Sequence, residues 1–530
     1  MSFGAHEELV LLALLVALAT LLVLAPMLRT PYPILLVLGG LALGFVPGIP
    51  QISLPPDLVL VAILPPLLYS AAFYTSLRDL RQNVIQISVL AIGLVIATTA
   101  SVAVVAHELI SGVGWGPAFV LGAIVSPTDP LAATQIARRL GVPRRIVAIV
   151  EGESLVNDGS ALVLYRVGVV AVVTGGYSIW EAGLRFVGTA AGGVAVGLVI
   201  GFLIAALRRR VDNPPVEVTI ALLSGYFAYL PAAALGVSGV LSVVTVGVYM
   251  GWRTPELTSV QTRLDGAAMW QIFTFVVNAL LFALVGLQLN HILDSLSGRP
   301  ASELILDAVL VAGTVILARI VWIFPFTYEP WVWWGRARDH DPAPPWQRPA
   351  VVSWMGLRGA VTLAAALAIP LTTDAGDAFP NRPLIIYLAF SVIVATLVLQ
   401  GLTLPAVIRL LGVEDDGLEA KEESKARIHA ADAAIARLDE LVDEDWVRPD
   451  TAERLRGLMG FRRDRFAARF TPEDDGGIEE QSQAYQRLRR ELLNAERAAV
   501  LELRRQGRIN DDVMHRVTRD LDLEDARLDV

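Results

Sequence analysis

Cysteine is absent from all 530 residues. Disulfides, thiolate metal sites and cysteine nucleophiles are therefore excluded. Net charge is also missing over most of the chain: the first 413 residues hold 22 acidic and 22 basic side chains. The whole excess of −9 lies from Glu414 onward, where 30 acidic residues outnumber 21 basic ones. No basic stripe marks a nucleic-acid surface. The six histidines include His107 and His291 near expected helix ends and His429 and His515 in the charged tail, and none is assigned a role.

Apolar residues are abundant. Hydrophobic residues make up 54% of the chain and the mean hydropathy is +0.56, which marks a polytopic membrane protein and not a soluble enzyme. Apolar runs at 9–28, 33–48, 57–75, 85–107, 116–138, 146–173, 183–207, 216–234, 237–252, 267–290, 303–326, 350–371 and 384–411 predict about thirteen spans. The first is preceded by Glu7 and Glu8 and lacks an Ala-x-Ala pattern, so it is read as a span that stays and not as a cleaved leader. Arginines in alternate loops support the count. Arg29, Arg78, Arg81, Arg138, Arg139, Arg144, Arg145, Arg208, Arg209, Arg210, Arg253, Arg263, Arg336, Arg338 and Arg348 fall on one side. Arg185, Arg299 and Arg382 fall on the other, a bias of about five to one. The N-terminus is then outside and the tail cytoplasmic. The Trp and Tyr residues around 328–334 read as an interfacial belt.

The stretch from Val150 to Arg166 conflicts with its apolar setting. Glu151, Glu153, Asn157 and Asp158 sit inside a run long enough to cross a bilayer as one helix. A carboxylate at mid-membrane costs roughly 2.5–3.5 kcal/mol on insertion scales. Four-residue spacing stacks Ser154 over Asp158 and Glu153 over Asn157, so one helix face is polar at that depth. Two readings follow: a structural ion pair between helices, or a cation or proton site. Glu151, about two turns from Asp158, either lines an access funnel or snorkels. Arg166, about two turns the other way, reads as an outer-end anchor.

Two spans are expected to break. In Ser126-Pro127-Thr128-Asp129-Pro130, Pro130 lacks an N–H and clashes with the preceding turn, while Asp129 suits an N-cap with Pro130 at the first helical position. In Trp354-Met355-Gly356-Leu357-Arg358-Gly359, two glycines weaken the helix, and Arg358 can compensate exposed carbonyl ends. Each break alone also fits a simple kink. Together, late in the two halves of the membrane region, they fit an inverted repeat around a midplane site.

Ser-Pro-Thr-Asp-Pro at 126–130, Gly-Glu-Ser-Leu-Val-Asn-Asp-Gly at 152–159, Gly-Leu-Arg-Gly-Ala at 356–360 and Leu-Pro-Pro-Leu-Leu-Tyr at 64–69 occur in this order across residues 9–412. The chain thereby resembles the cation:proton antiporter-1 family, the bacterial NhaP-type and animal NHE-type exchangers. The resemblance implies an all-α polytopic protein with inverted repeats and two broken helices. It also implies a homodimer in the plasma membrane that exchanges Na+ for H+ in pH homeostasis and needs no resident cofactor. By the same resemblance Asp158 binds either Na+ or protons, Asn157 orients the site, and Ser154 offers an oxygen. Thr128 and Asp129 lie where the half-helices cross, so Asp158, Ser154 and Thr128 are the implied Na+ ligands. Glu153 is implied to be structural and paired with Arg319, and Arg358 to stabilise the second break. Ser70 stands where many relatives carry an acidic residue; a hydroxyl there still offers an oxygen but no charge. Oxygen donors of these kinds suit a hard monovalent cation. The Asn-Asp pair implies one-for-one, electroneutral exchange, and the family an elevator-like shift of a core bundle against a dimer scaffold.

Residues 413–530 are expected to form a helical cytoplasmic domain, self-packed or regulatory. Ile435, Leu438 and Leu441 share a face; a second helix starts at Pro449-Asp450-Thr451; a break covers 472–477. Tyr485, Leu488, Leu492, Ala495 and Ala499 then follow helical spacing until Gly507, and a last helix covers about 510–528. K+ is an alternative cargo for the same mechanism. A cation channel would need a carbonyl or charge ring that one buried carboxylate does not supply. An intramembrane aspartyl protease using Asp129 and Asp158 lacks the Tyr-Asp and Gly-x-Gly-Asp patterns.

Overall fold

The computed structural model describes residues 5–28, 30–46, 58–175, 179–288, 292–293, 296, 298–333, 345–468 and 478–528. Arg29, His291, Arg336, Arg338, the break at 472–477 and the side chains of Glu7, Glu8 and of the aromatic residues around 328–334 lie outside the described residues. The chain divides into two compact units, Met1–Asp415 and Asp416–Val530.

Unit one is all helix: α1 (Ala5–Met27), α2 (Tyr32–Gly44), α3 (Leu64–Tyr74), α4 (Leu77–Gln82) and α5 (Val84–Leu109) open it. Next come α6 (Trp115–Val125), α7 (Leu131–Arg139), α8 (Arg144–Thr174), α9 (Ile179–Arg208), α10 (Pro214–Ala234), α11 (Gly239–Leu257) and α12 (Val260–Leu287). The unit closes with α13 (Ala301–Trp333), α14 (Gln347–Trp354), α15 (Ala360–Leu367) and α16 (Arg382–Leu411). Most of these helices are apolar nearly all round because they face either one another or a hydrocarbon solvent, whereas α4 and α7 carry polar faces. Polar residues gather at their ends, where they serve as caps. Asn213 accepts from the Val216 N–H at 3.4 Å, Ser238 from Leu241 at 3.3 Å and Ser259 from Thr262 at 3.2 Å, each satisfying a donor that the first helical turn leaves open.

The expected count of about thirteen spans, two of them broken, is not met. Among the described residues, 7 helices are long and apolar enough to cross a bilayer. They are Val84–Leu109, Arg144–Thr174, Gly183–Arg208, Pro214–Ala234, Val260–Leu287, Ala301–Thr327 and Arg382–Leu411. Shorter apolar helices cover Val16–Met27, Tyr32–Gly44, Val59–Tyr74 and Trp115–Val125. The reasons are physical. Two expected spans are interrupted, and α2, with 13 residues, reaches only about 20 Å where the hydrocarbon layer needs about 30 Å.

The apolar interior of unit one falls into two main groups. One joins α5 to α8 with α13 to α16, and α2 and α12 lie against it. The other joins α3 with α9 to α12. Leu162 of α8 packs against both, and α12 contributes buried residues to both, so α8 and α12 lie between them. Unit two consists of α17 (Leu418–Leu441), α18 (Pro449–Ala468), α19 (Ile478–Arg505) and α20 (Asp511–Ala526). The side chain of Asn510 caps α20 by accepting from Val513 N–H at 2.9 Å, and Arg497 of α19 holds Asp522 and Asp525 of α20 at 2.9 and 2.8 Å.

Close backbone approach fixes the α2–α12 crossing. A Cβ on Gly286 would lie 2.3 Å from Val37 O, and one on Gly40 would lie 2.3 Å from Ala283 O. Gly286→Val should therefore lower the thermal midpoint of the detergent-solubilised protein, at the scale of about 1–3 kcal/mol typical of overpacking. Gly313→Ala, where nothing lies within 4 Å of the added carbon, should leave it unchanged or raise it slightly.

Candidate functional site

Two chain segments leave the helical path inside unit one. Residues 126–130 separate α6 from α7, and residues 355–359 separate α14 from α15. The two breaks lie against each other: Asp129 N–H donates to Leu357 O at 2.8 Å. Gly359 fits only because it has no side chain, since a Cβ there would lie 1.8 Å from Asp129 Oδ2. Helix α7 begins at Leu131, one residue later than expected, and Pro130 takes the cap position. The Asp129 carboxylate still satisfies the new helix end, with Oδ1 accepting from Leu131 N–H at 2.9 Å.

The opposite ends of the broken helices expose carbonyl groups, and two arginines reach them. Arg358 donates from Nε to Val125 O, the last residue of α6, at 3.1 Å, and from Nη1 to Gly356 O. Its own N–H is held by Thr396 Oγ1 at 3.1 Å. Arg319 of α13 donates from Nε and Nη2 to Val352 O near the end of α14, at 3.3 and 3.2 Å. Both side chains have 0% exposure. A helix C-terminus carries partial negative charge, so a buried cation there both completes hydrogen bonds and opposes the dipole.

Arg319 faces Glu153 of α8 in a two-pronged pair: Nη1 meets Oε1, and Nη2 donates to Oε2 at 2.8 Å. Thr128 joins this pair to the rest of α8. Its hydroxyl donates to Glu153 Oε1 at 3.1 Å and accepts from Asn157 Nδ2 at 2.7 Å. Since a hydroxyl has one proton, Ser154 Oγ, 3.2 Å away, must be the donor in its contact with Thr128. Thr128 Oγ1 is then saturated. Ser154 keeps its lone pairs, and Asn157 Oδ1 is buried with no hydrogen-bond partner among the described residues. One turn from Ser154, Asp158 lies near the middle of α8 at 8% exposure, and its carboxylate makes no hydrogen bond to a described residue. What the arrangement offers chemically is an undonated oxygen on Asn157 and a carboxylate on Asp158 without a hydrogen bond to a described residue, both buried on the same helix.

The structure thus brings Thr128, Glu153, Ser154, Asn157 and Arg319 into one hydrogen-bonded cluster, with Asp129 and Arg358 at the adjoining crossing. Ser70 is buried on α3 and makes no hydrogen bond to that cluster. Glu151 pairs with Arg138 of α7 at 2.8 Å near the start of α8. No group of three or more metal-ligating side chains occurs among the described residues. The sequence reading missed Val125 O, Val352 O and Thr396, because backbone acceptors and a lone threonine in an apolar run carry no signature. It also missed a second buried pair outside the cluster, where Arg208 Nη2 lies 3.5 Å from Glu217 Oε2 and Thr262 donates to Glu217 Oε1 at 3.3 Å. Glu217 inside an apolar run was the available signal.

The family model described as sodium/hydrogen exchanger, transmembrane, matches residues 10–410. An uncharacterized Na+/H+ exchanger of Mycobacterium tuberculosis is 37% identical over 530 residues, covering 98% of this chain and 96% of its own length. The Na+/H+ antiporter ApNhaP of Aphanothece halophytica is 32% identical over 519 residues, covering 96% of this chain and 95% of its own. Among solved structures, the sodium proton antiporter MjNhaP1 of Methanocaldococcus jannaschii matches 77% of this chain and 100% of its own, with a TM-score of 0.59 and 18% identity, a likeness of fold.

The Glu153–Arg319 pair should behave as a buried ion pair. Glu153→Leu or Arg319→Leu alone should cost about 3–5 kcal/mol, since each leaves one buried charge unpaired. The double substitution should cost clearly less than the sum of the two. Thermal unfolding of the four proteins of the cycle measures this directly.

Proposed function

The chain belongs to the transmembrane sodium/hydrogen exchanger family, and from that membership we propose that it exchanges Na+, or alternatively Li+ or K+, for H+ across the plasma membrane. The observation that carries the reading is the Asp158 carboxylate, buried in a spanning helix without a hydrogen-bond donor. A carboxylate so placed requires a cation or a proton to neutralise it. The two exclude each other, because the proton removes the charge that holds the cation. Forms loaded with either are neutral at the site and cross, whereas the empty form carries an uncompensated charge and crosses poorly. One exchanging carboxylate gives electroneutral one-for-one exchange.

In this reading Asp158, Ser154 and Thr128 hold Na+, which is cargo and not a resident cofactor. Thr128 contributes through its carbonyl, because its hydroxyl is already saturated. The free Oδ1 of Asn157 supplies a further oxygen while its Nδ2 keeps the break in place. Asp129 and Ser70 border the site, and Glu153, Arg319 and Arg358 hold the geometry without meeting the ion. Residues 1–412 form the transport domain, built as inverted repeats around the two broken helices, with the N-terminus outside. Residues 413–530 form a cytoplasmic regulatory tail. The working unit is a homodimer. Transport moves the α5–α8 and α13–α16 group against the α3 and α9–α11 group by an elevator-like shift, and the position of α8 between the two supports this division.

In sealed vesicles with a preset pH gradient, Na+, Li+ or K+ should collapse the gradient with the wild type and not with Asp158→Asn. Collapse that survives the substitution would reject Asp158 as the exchanging group. Clamping the membrane potential with valinomycin in equal K+, during Na+-driven collapse, should leave the wild-type rate unchanged within about two-fold. A steeper dependence means net charge moves in each cycle, at about 2.3 kcal/mol per charge per 100 mV.

A further inference from the structure

Helix α8 borders a cavity of about 830 Å3 along its half leading to Thr174. The first turns of α9, the end of α10 and the start of α11 close it. Its wall is mainly apolar, formed by residues such as Leu162, Val170 and Val240. Two exposed arginines line it, Arg166 from α8 and Arg185 from α9, and among the described residues no acidic side chain does. Neither arginine forms an ion pair with a described carboxylate.

This combination is wrong for the transported cation. A cleft lined by one sign of charge repels ions of that sign and concentrates the opposite one. It is also far larger than a small inorganic anion requires, since volumes of about 300–1,000 Å3 accommodate drug-sized ligands. The depth is informative too. Arg166 lies about 12 Å along the helix from Asp158, and half of the hydrocarbon layer is about 15 Å. With Asp158 near the midplane, a long guanidinium side chain there reaches the phosphate layer while its stem stays among apolar groups.

We propose that this cavity binds an anionic phospholipid of the surrounding bilayer, its phosphate on Arg166 and Arg185 and an acyl chain along the apolar wall. The lipid would touch α8 of one packed group and α9, α10 and α11 of the other, and so bridge the two groups. The inference rests on the bilayer placement in the functional reading above and is independent of which cation is carried.

Full-length protein, wild type and Arg166→Gln/Arg185→Gln, is reconstituted in phosphatidylcholine with and without phosphatidylglycerol, extracted in mild detergent, and analysed for co-purifying lipid by native mass spectrometry. The wild type should retain phosphatidylglycerol over phosphatidylcholine, and its thermal midpoint should rise with phosphatidylglycerol present. The double variant should lose that preference, by roughly five-fold for each arginine removed. Arg166→Lys/Arg185→Lys, which keeps the charge, should retain most of it, and this separates loss of the site from a folding defect. Equal phosphatidylglycerol retention by the wild type and the Gln variant overturns the proposal. So does full reproduction of the thermal shift by inorganic phosphate in phosphatidylcholine alone, which would mean a free-anion site. A changed half-saturating Na+ concentration with unchanged lipid retention also overturns it and makes the cavity a cation vestibule. Asp158-dependent gradient collapse, measured on the same vesicles, tells separately whether the transport reading stands.

Discussion

The arrangement depends on satisfying broken backbone where water is scarce. Each interrupted helix leaves carbonyl groups with no helical partner, and an unmet polar group in such an interior costs several kcal/mol. Arg358 answers at Val125 O and Arg319 at Val352 O. Asp129 does the converse at the start of α7, where its carboxylate meets an N–H end. Each end meets a charge of the sign its helix dipole favours. Without these contacts the segments at 126–130 and 355–359 would have reason to re-form helix or take up water.

Meeting that requirement places two arginines in the interior and creates a second demand, for negative charge. Glu153 meets it for Arg319 with both carboxylate oxygens. Thr128 then spends its one proton on Glu153 and must receive from Asn157 and Ser154. The direction of the Ser154–Thr128 hydrogen bond follows from that single proton. Asp158, one turn from Ser154, makes no hydrogen bond to a described residue.

The uninterrupted helices carry smaller departures of the same kind. Turns at 58–63, 89–94 and 396–400 are π-helical, which loosens the hydrogen-bond ladder locally. Side chains from other helices meet them: the Tyr226 hydroxyl donates to Ala62 O, and Trp322 Nε1 donates to Val89 O at 3.3 Å. Thr396, at the third, accepts from the Arg358 N–H. These contacts tie the loosened turns into the helix packing.

Much of this was legible in the linear chain. Hydropathy set the class, and the charge asymmetry at Glu414 lies beside the division between the two compact units. Pro130 and the Gly356–Gly359 pair marked both breaks, because proline and glycine act on the backbone locally. The spacing of Ser154, Asn157 and Asp158 put them on one face before any tertiary contact was considered. Only the three-dimensional structure decided which oxygens stay free and how many helices remain long enough to span. It also showed that the arginine caps land on Val125 O and Val352 O, and that Arg208 and Glu217 meet. Those outcomes depend on partners far apart in the chain and on backbone atoms, which every residue has and no residue type advertises.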